Sequence, residues 1–124
     1  MHHSRLYALI IDCQTDSLEA GSRFWAGALG RDALVPDPGG GYTPLAHRDG
    51  EPHVELQRVT HASRVHLDIE SDDVEAEVRR LEKLGARRLT QVRHWWVMEA
   101  PTGQRFCVVR TKKSSLEGHA NRWD

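Results

Sequence analysis

The feature that most constrains this sequence is an internal repeat, in which a shift of 56 residues places Ile10 over His66. Residues 9–23 then overlie residues 65–79, and a glycine follows each copy. Five pairs are identical, namely Asp12 and Asp68, Asp16 and Asp72, Glu19 and Glu75, Ala20 and Ala76, and Arg23 and Arg79. Each copy therefore predicts the same unit, a strand followed by a capped helix with a glycine at its end.

The first copy begins with residues 5–13, whose large and β-branched apolar side chains favour a buried strand. Asp16 is the predicted N-cap of a helix over residues 17–29, with Glu19 as its capping-box partner and Gly30 as its end. After the helix we predict a loop at 36–41, a short strand at 42–46, a turn at 48–52 and a strand at 53–59.

The second copy predicts a strand at 65–69 and a helix that Asp72 caps and that runs to Leu84, where Gly85 ends it. Three further strands are expected around Leu89, over 95–98 and over 106–109, with a turn at 101–103. Residues 113–124 are polar, and we expect this tail to be loosely held.

Length and charge limit the class of protein. A chain of 124 residues, with 17 basic and 18 acidic side chains, makes one domain with no electrostatic footprint for nucleic acid or an anionic membrane. We place that domain at 1–112, with halves at about 5–60 and 64–110. No apolar run reaches the length of a membrane span, and no signal peptide is visible. The two cysteines predict reduced thiols in a cytoplasmic protein.

The repeat also predicts the architecture. One βαβββ unit has an apolar sheet face and open edges, and pairing two units buries those faces. We therefore expect an α+β fold, in which two βαβββ repeats form a curved mixed sheet around a central cleft. A concave, partly apolar cleft of this kind suits a small-molecule ligand.

Four segments carry a resemblance to a known family: LIIDCQTDSLEAGSRFWAGALG, HVELQRV, VHLDIESDDVEAEVRRLEKLGA and WWVMEAPTGQRFCVV. With these the chain resembles the vicinal oxygen chelate superfamily, and more closely its glyoxalase-like branch of short bacterial proteins. The family's usual Asp-Pro-x-Gly-Asn turn reads APTGQ here, at 100–104. The resemblance implies the fold, but this fold hosts isomerases, dioxygenases, epimerases and thiol transferases as well as non-catalytic drug-sequestering proteins.

The resemblance also implies positions for metal ligands. Members with metal chemistry use four, and two of them fall on His66 and Glu55, which are typical ligand types. A third falls on Cys107, which would suit zinc, and the fourth falls on Ile10, which cannot bind metal. Because a divalent ion needs several ligands, this incomplete set favours a site without metal.

His66 and Glu55 are also candidates for acid and base in proton abstraction next to a carbonyl. Their alternatives are a strand histidine bonded in a polar cleft and a solvated strand glutamate. For ligand contacts we single out Trp95 or Trp96, whose rings alternation sends to opposite faces, together with Asp12 and Glu99. Asp12 has a plainer alternative as a strand-ending residue, and Glu99 as a turn carboxylate.

Two hypotheses follow. The first is a lyase or isomerase that acts on a small carbonyl or vicinal-oxygen compound through His66 and Glu55. The second is a non-catalytic protein that binds or sequesters a small molecule. The apolar Ile10 favours this second hypothesis or chemistry without a metal, whereas His66 and Glu55 favour the first. We also expect a homodimer, since one tryptophan ring should face outward and short members of the family commonly look like dimers.

Overall fold

A computed structural model describes all 124 residues and contains eight strands and two helices. In chain order these are β1 (His2–Gln14), α1 (Glu19–Leu29), β2 (Tyr42–Pro44), β3 (His53–Val59), β4 (Arg64–Ser71), α2 (Val74–Lys83), β5 (Arg87–Val92), β6 (Trp95–Glu99), β7 (Arg105–Arg110) and β8 (Asn121–Trp123). Neither helix has the length and apolar character that a membrane-spanning helix requires.

The strands form one mixed sheet in the order β2-β3-β1-β4-β7-β6-β5, and β8 pairs with β1 outside this path. In both halves the first strand runs parallel to the last, β1 beside β3 and β4 beside β7. The hairpins β2–β3, β5–β6 and β6–β7 are antiparallel. The α+β fold with a mixed sheet is therefore confirmed.

The two halves differ in one respect. Four strands follow α2, the three that were predicted and the short β8, but only two follow α1, and a single bridge between Ala33 and Leu45 lies before them. Pro36, Pro38 and the glycines at 39–41 explain the difference, because proline cannot donate to a strand ladder and glycine weakens one.

The chain divides into two compact units, one of residues 8–66 and the other of residues 1–7 with 67–124. In the first unit, Ile11, Val54 and Leu56 of the sheet are buried beneath α1, with Leu9 and Cys13 packed beside them. Side chains alternate along a strand, so Ile10 and Asp12 lie on the opposite face of β1, away from the helix.

The second unit follows the same pattern. Val78 of α2 is buried against Met98 and Val108, with Trp96 and Phe106 partly buried beside them. The alternating positions of β6 and β7, which include Trp95 and Cys107, therefore lie on the sheet face that the helix leaves uncovered.

Both predicted helix caps are wrong by one or two residues. The residue before α1 is Leu18, which caps nothing with its side chain, while the Ser17 hydroxyl accepts from the Glu19 amide at 3.3 Å and replaces Asp16. The N-cap of α2 is Asp73, whose carboxylate accepts from the Ala76 amide at 3.0 Å.

Asp72 does not cap α2 because it has another partner. Its two carboxylate oxygens bind the backbone amide and Nδ1 of His3, at 2.7 and 2.8 Å. Burial acts to raise the pKa of Asp72, but these hydrogen bonds outweigh it and hold the pKa below its usual value.

The expectation of a loosely held tail is also wrong. Leu116 is completely buried, and β8 pairs with the start of β1. The Trp123 indole donates to the Ser4 hydroxyl at 2.9 Å, and the Arg80 guanidinium lies 3.8 Å from the centre of the Trp123 ring. A cation over an indole face and a satisfied N–H fix this segment, although its composition is polar.

Candidate functional site

The centre of the candidate site is a contact between His66 and Asp12. Nδ1 of His66 lies 2.8 Å from Oδ2 of Asp12, and their side chains are 11% and 2% exposed. Asp12 lies near the end of β1 on the face away from α1, where its carboxylate accepts a hydrogen bond from Nδ1–H of His66. With Nδ1 held in this way, any proton transfer or metal bond by His66 has to use Nε2.

Two more nitrogen groups surround the same carboxylate. Nε of Arg64 is 3.7 Å and Nε2 of His61 is 3.8 Å from Oδ2 of Asp12. Nδ1 of His61 donates to the Ala62 carbonyl at 2.8 Å, so its Nε2 can accept from Nη2 of Arg64 at 3.2 Å. Sequence reasoning missed Arg64 and His61, although Arg64 shares strand parity with His66.

One group of side chains could hold a metal ion. His66 and Asp68 lie two residues apart on β4, and Asp68 pairs in register with Cys107 on β7. One potential ligand atom from each of the three lies within 4.8 Å of the others. Two predicted ligands, His66 and Cys107, are therefore in one group, which Glu55 does not join. Asp68 was missed as a ligand, although the repeat pairs it with Asp12.

Glu55 lies on β3 opposite Ile10, and Gln57 lies opposite Asp12. Neighbouring residues of parallel strands share a face, so Glu55 is on the same uncovered face as Asp12. The carboxylate that binds His66 Nδ1 is that of Asp12. A catalytic or ligating role for Glu55 stays a prediction.

The sequence of most of the chain matches the model of one protein family. The match covers residues 8–109 and is described as a glyoxalase-like domain. The chain belongs to this glyoxalase-like domain family. No curated protein matches it significantly.

Solved structures agree on the fold of this glyoxalase-like domain. A hypothetical protein from Bacillus halodurans C-125 is 15% identical, with a TM-score of 0.64 and coverage of 90% of this chain and 97% of that one. Methylmalonyl-CoA epimerase from Mycobacterium tuberculosis is 16% identical, with a TM-score of 0.58 and coverage of 87% and 88%. A glyoxalase/bleomycin resistance protein/dioxygenase superfamily member from Vibrio splendidus 12B01 is 16% identical, with a TM-score of 0.56 and coverage of 87% and 99%.

The two tryptophans that were predicted to contact a ligand lie on opposite faces of the sheet. Trp96 packs into the core under α2, with the Arg88 guanidinium 5.0 Å from the centre of its ring. Trp95 lies on the uncovered face, in edge contact with His94. Glu99 binds Arg87 at 2.8 Å. Trp95 is thus the tryptophan placed for a ligand on that face, and ligand contacts by any of these residues stay predictions.

A cavity of about 620 Å³ lies elsewhere in the first unit, between the start of α1 and the loop that follows it. Leu18, Arg23, Leu34, Thr43 and Arg58 are among its lining residues, and none of the predicted site residues is. It lies on the helix side of the sheet. The central cleft that the repeat predicts therefore stays a prediction.

Proposed function

We propose that this glyoxalase-like protein is an enzyme that moves a proton next to the carbonyl group of a small molecule. His66 is the proposed acid–base residue, and Asp12 is the positioning residue that holds its imidazole. The observation that carries the proposal is the 2.8 Å contact between Nδ1 of His66 and the buried Asp12 carboxylate.

The chemistry follows from that contact. A buried carboxylate on Nδ1–H fixes the tautomer in which Nε2 accepts a proton, and it stabilises the imidazolium that forms. An imidazole titrates near neutral pH, which suits both removal and return of a proton. Methylmalonyl-CoA epimerases are among the similar structures. Epimerisation of such a compound is a proton transfer beside a carbonyl.

The donor set of His66, Asp68 and Cys107 fits a divalent metal of the zinc type, which accepts nitrogen, oxygen and sulfur and leaves a position open in catalytic sites. Such an ion would polarise a carbonyl oxygen. Such an ion would take Nε2 of His66, since Asp12 occupies Nδ1, and Nε2 could then not accept a proton. The proton chemistry proposed above therefore belongs to the protein without metal, in which the histidine and the aspartate act alone.

The experiment is a deuterium-exchange assay followed by proton NMR. Pyruvate, dihydroxyacetone and a methylmalonyl thioester are incubated in D₂O with the full chain. We expect protein-dependent loss of the signals of protons beside the carbonyl. His66→Gln should slow exchange at least about 100-fold, the usual contribution of a general base. Asp12→Asn should slow it about 10- to 100-fold.

His47→Gln is the matched control, because His47 is an exposed histidine paired with Asp49. Its exchange rate should equal that of the unchanged protein. If a folded His66→Gln variant exchanges protons at the original rate, the proposal is wrong.

The second candidate function is binding without catalysis. Its supporting observation is Ile10, a 2% exposed apolar residue at the position where the repeat would place a partner of His66. A ligand that binds on the uncovered face while no probe exchanges protons would favour this function.

We further propose that the protein is a cytoplasmic homodimer. Both cysteines are free, as a reducing compartment would keep them. Phe24 and Val35 are 63% and 87% exposed and could be covered by a second copy. Sedimentation analysis should give twice the 14.1 kDa chain mass. A single 14.1 kDa species at micromolar concentration would contradict the dimer.

A further inference from the structure

We infer that Arg64, held in place by His61, forms a subsite for a carboxylate on the substrate, next to the acid–base residue His66. The inference rests on the proposed function for its placement, and it adds the charge class of the substrate. The four residues involved all belong to the unit of residues 8–66; they are Asp12, His61, Arg64 and His66.

The first step in the argument is the position of the Arg64 guanidinium. Its Nε is 3.7 Å from Oδ2 of Asp12, which is ion-pair range but not a hydrogen bond. Nη2 contacts His61, and Nη1 donates no hydrogen bond. The side chain is 42% exposed. Arg64 therefore keeps donors that can point at a ligand.

The second step is that this arrangement is poor for a purely structural ion pair. Arginine and aspartate that only neutralise each other favour the two-bond, fork-to-fork geometry. Here Oδ1 of Asp12 is buried and has no hydrogen-bond partner, although a guanidinium lies close by. The contact of Arg64 Nη2 with His61 instead holds the guanidinium to one side of the carboxylate.

The third step is the alignment with His66. Arg64 and His66 are two residues apart on β4, so their side chains leave the same face at a spacing of about 7 Å. A small acid whose carboxylate lies on Arg64 can then present the neighbouring carbon toward the imidazole. The planar guanidinium matches a carboxylate better than any other side chain does. The site therefore fits 2-oxo acids and malonate-type acids.

Binding is tested with matched pairs of probes, by NMR titration of the full chain. The acids are pyruvate and malonate, and the controls are their methyl esters, which keep the carbonyl groups and lose the charge. We expect both acids to shift the side-chain signals of Arg64 and His61, and the esters to bind at least about tenfold more weakly, as loss of a charge-assisted hydrogen bond predicts.

Arg64→Gln should weaken acid binding at least about tenfold and leave ester binding unchanged, while Arg64→Lys should retain part of the preference. Arg23→Gln is the matched control, because Arg23 is 70% exposed and pairs only with Glu19 along α1. Thermal unfolding of each variant shows whether it is folded. If Arg64→Gln does not fold, the preference for acids over esters is measured in the folded Arg64→Lys and His61→Gln variants instead. A preference that is unchanged in both variants overturns the inference.

The outcomes separate this inference from the proposed function. Acid binding that needs Arg64 but comes without proton exchange supports the subsite and contradicts the enzyme. Proton exchange whose preference for acids over esters is unchanged in Arg64→Gln supports the enzyme and overturns the subsite. Equal binding of acids and esters by the unchanged protein also overturns the subsite. Failure of every probe to bind at about 10 mM overturns it too, because a ligand with a Kd of roughly 1 mM would be mostly bound at that concentration.

Discussion

At the scale of the residue, Asp12 shows how one buried carboxylate arranges its neighbours. The repeat makes Asp12 the counterpart of Asp68, and a role in ending a strand would account for both. The structure instead places Asp12 against His66, with Arg64 and His61 just beyond hydrogen-bond range. A buried carboxylate needs such partners, because an isolated charge is costly to desolvate.

The two free cysteines differ at this scale. Cys107 belongs to the group of possible metal ligands, whereas Cys13 packs beneath α1. Burial raises the pKa of the Cys13 thiol, and the charge of Asp12 adds to this effect. Since the thiolate is the form that binds metal, Cys107 is the better ligand of the two.

We therefore predict that Co²⁺ added to the chelator-treated protein gives the near-ultraviolet absorption of a cobalt–thiolate bond. Cys107→Ser should abolish this absorption, and Cys13→Ser, the matched control, should retain it. Absorption lost in Cys13→Ser but kept in Cys107→Ser would contradict the assignment, and so would its absence from the unchanged protein.

At the scale of the element, the helix starts show where local patterns mislead. Asp16 and Asp72 occupy equivalent positions in the repeat, and neither caps its helix. Asp72 binds His3, a residue 69 positions away, and leaves the cap of α2 to Asp73. A tertiary contact thus shifted the role of cap by one residue.

The cap assignment predicts a difference between two aspartates. Asp73→Ala should lower the free energy of unfolding by about 1 kcal/mol, because the Ala76 amide loses its acceptor. Asp16→Ala should change it by less than about 0.5 kcal/mol, the range usual for surface substitutions. Urea unfolding followed by circular dichroism measures both, and equal losses would show that the assignment is wrong.

At the scale of the whole molecule, a buried ion cluster ties the two ends of the chain to α2. Glu77 is completely buried, and it binds His2 at 2.8 Å and Arg80 at 2.7 and 2.8 Å. Arg80 in turn lies against Trp123 of β8. Burial acts to raise the pKa of Glu77, but the hydrogen bonds from Arg80 and His2 outweigh it and lower that pKa.

This cluster predicts an acid dependence of stability. The pKa of Glu77 is lower in the folded than in the unfolded protein, so its contribution is present above the unfolded pKa and is lost as pH falls through the folded one. Glu77→Gln should lower the free energy of unfolding at pH 7 by about 3–5 kcal/mol, because it leaves Arg80 and His2 without their carboxylate.

The loss in Glu77→Gln should shrink as the pH falls below about 4, where the glutamate of the unfolded chain takes up a proton, and it should vanish below the lower pKa of folded Glu77. Glu75→Gln is the control on the same helix and should cost less, since Glu75 is 45% exposed and water screens its ion pairs. Urea unfolding between pH 3 and pH 7 checks this, and a loss in Glu77→Gln that is independent of pH would contradict it.

The sequence by itself determined the repeat, the order of the elements from β4 to β7 and the alternation of side chains along the strands. These features depend on short-range rules, because alternation, glycines and prolines act within a few residues of one another. The confirmed strand β3 at His53–Val59 and the left-handed Gly30 at the end of α1 are of this kind.

Only the tertiary structure decided which groups meet. Asp12 and His66 are 54 residues apart, and sequence reasoning paired His66 with Glu55 instead. The polar tail was expected to be loose, yet Trp123 lies on Arg80. Such contacts depend on strand register and on which buried charge needs a partner, and both are set by the whole chain rather than by any local pattern. The family resemblance therefore singled out His66, and the fold placed Asp12, rather than Glu55, against its Nδ1.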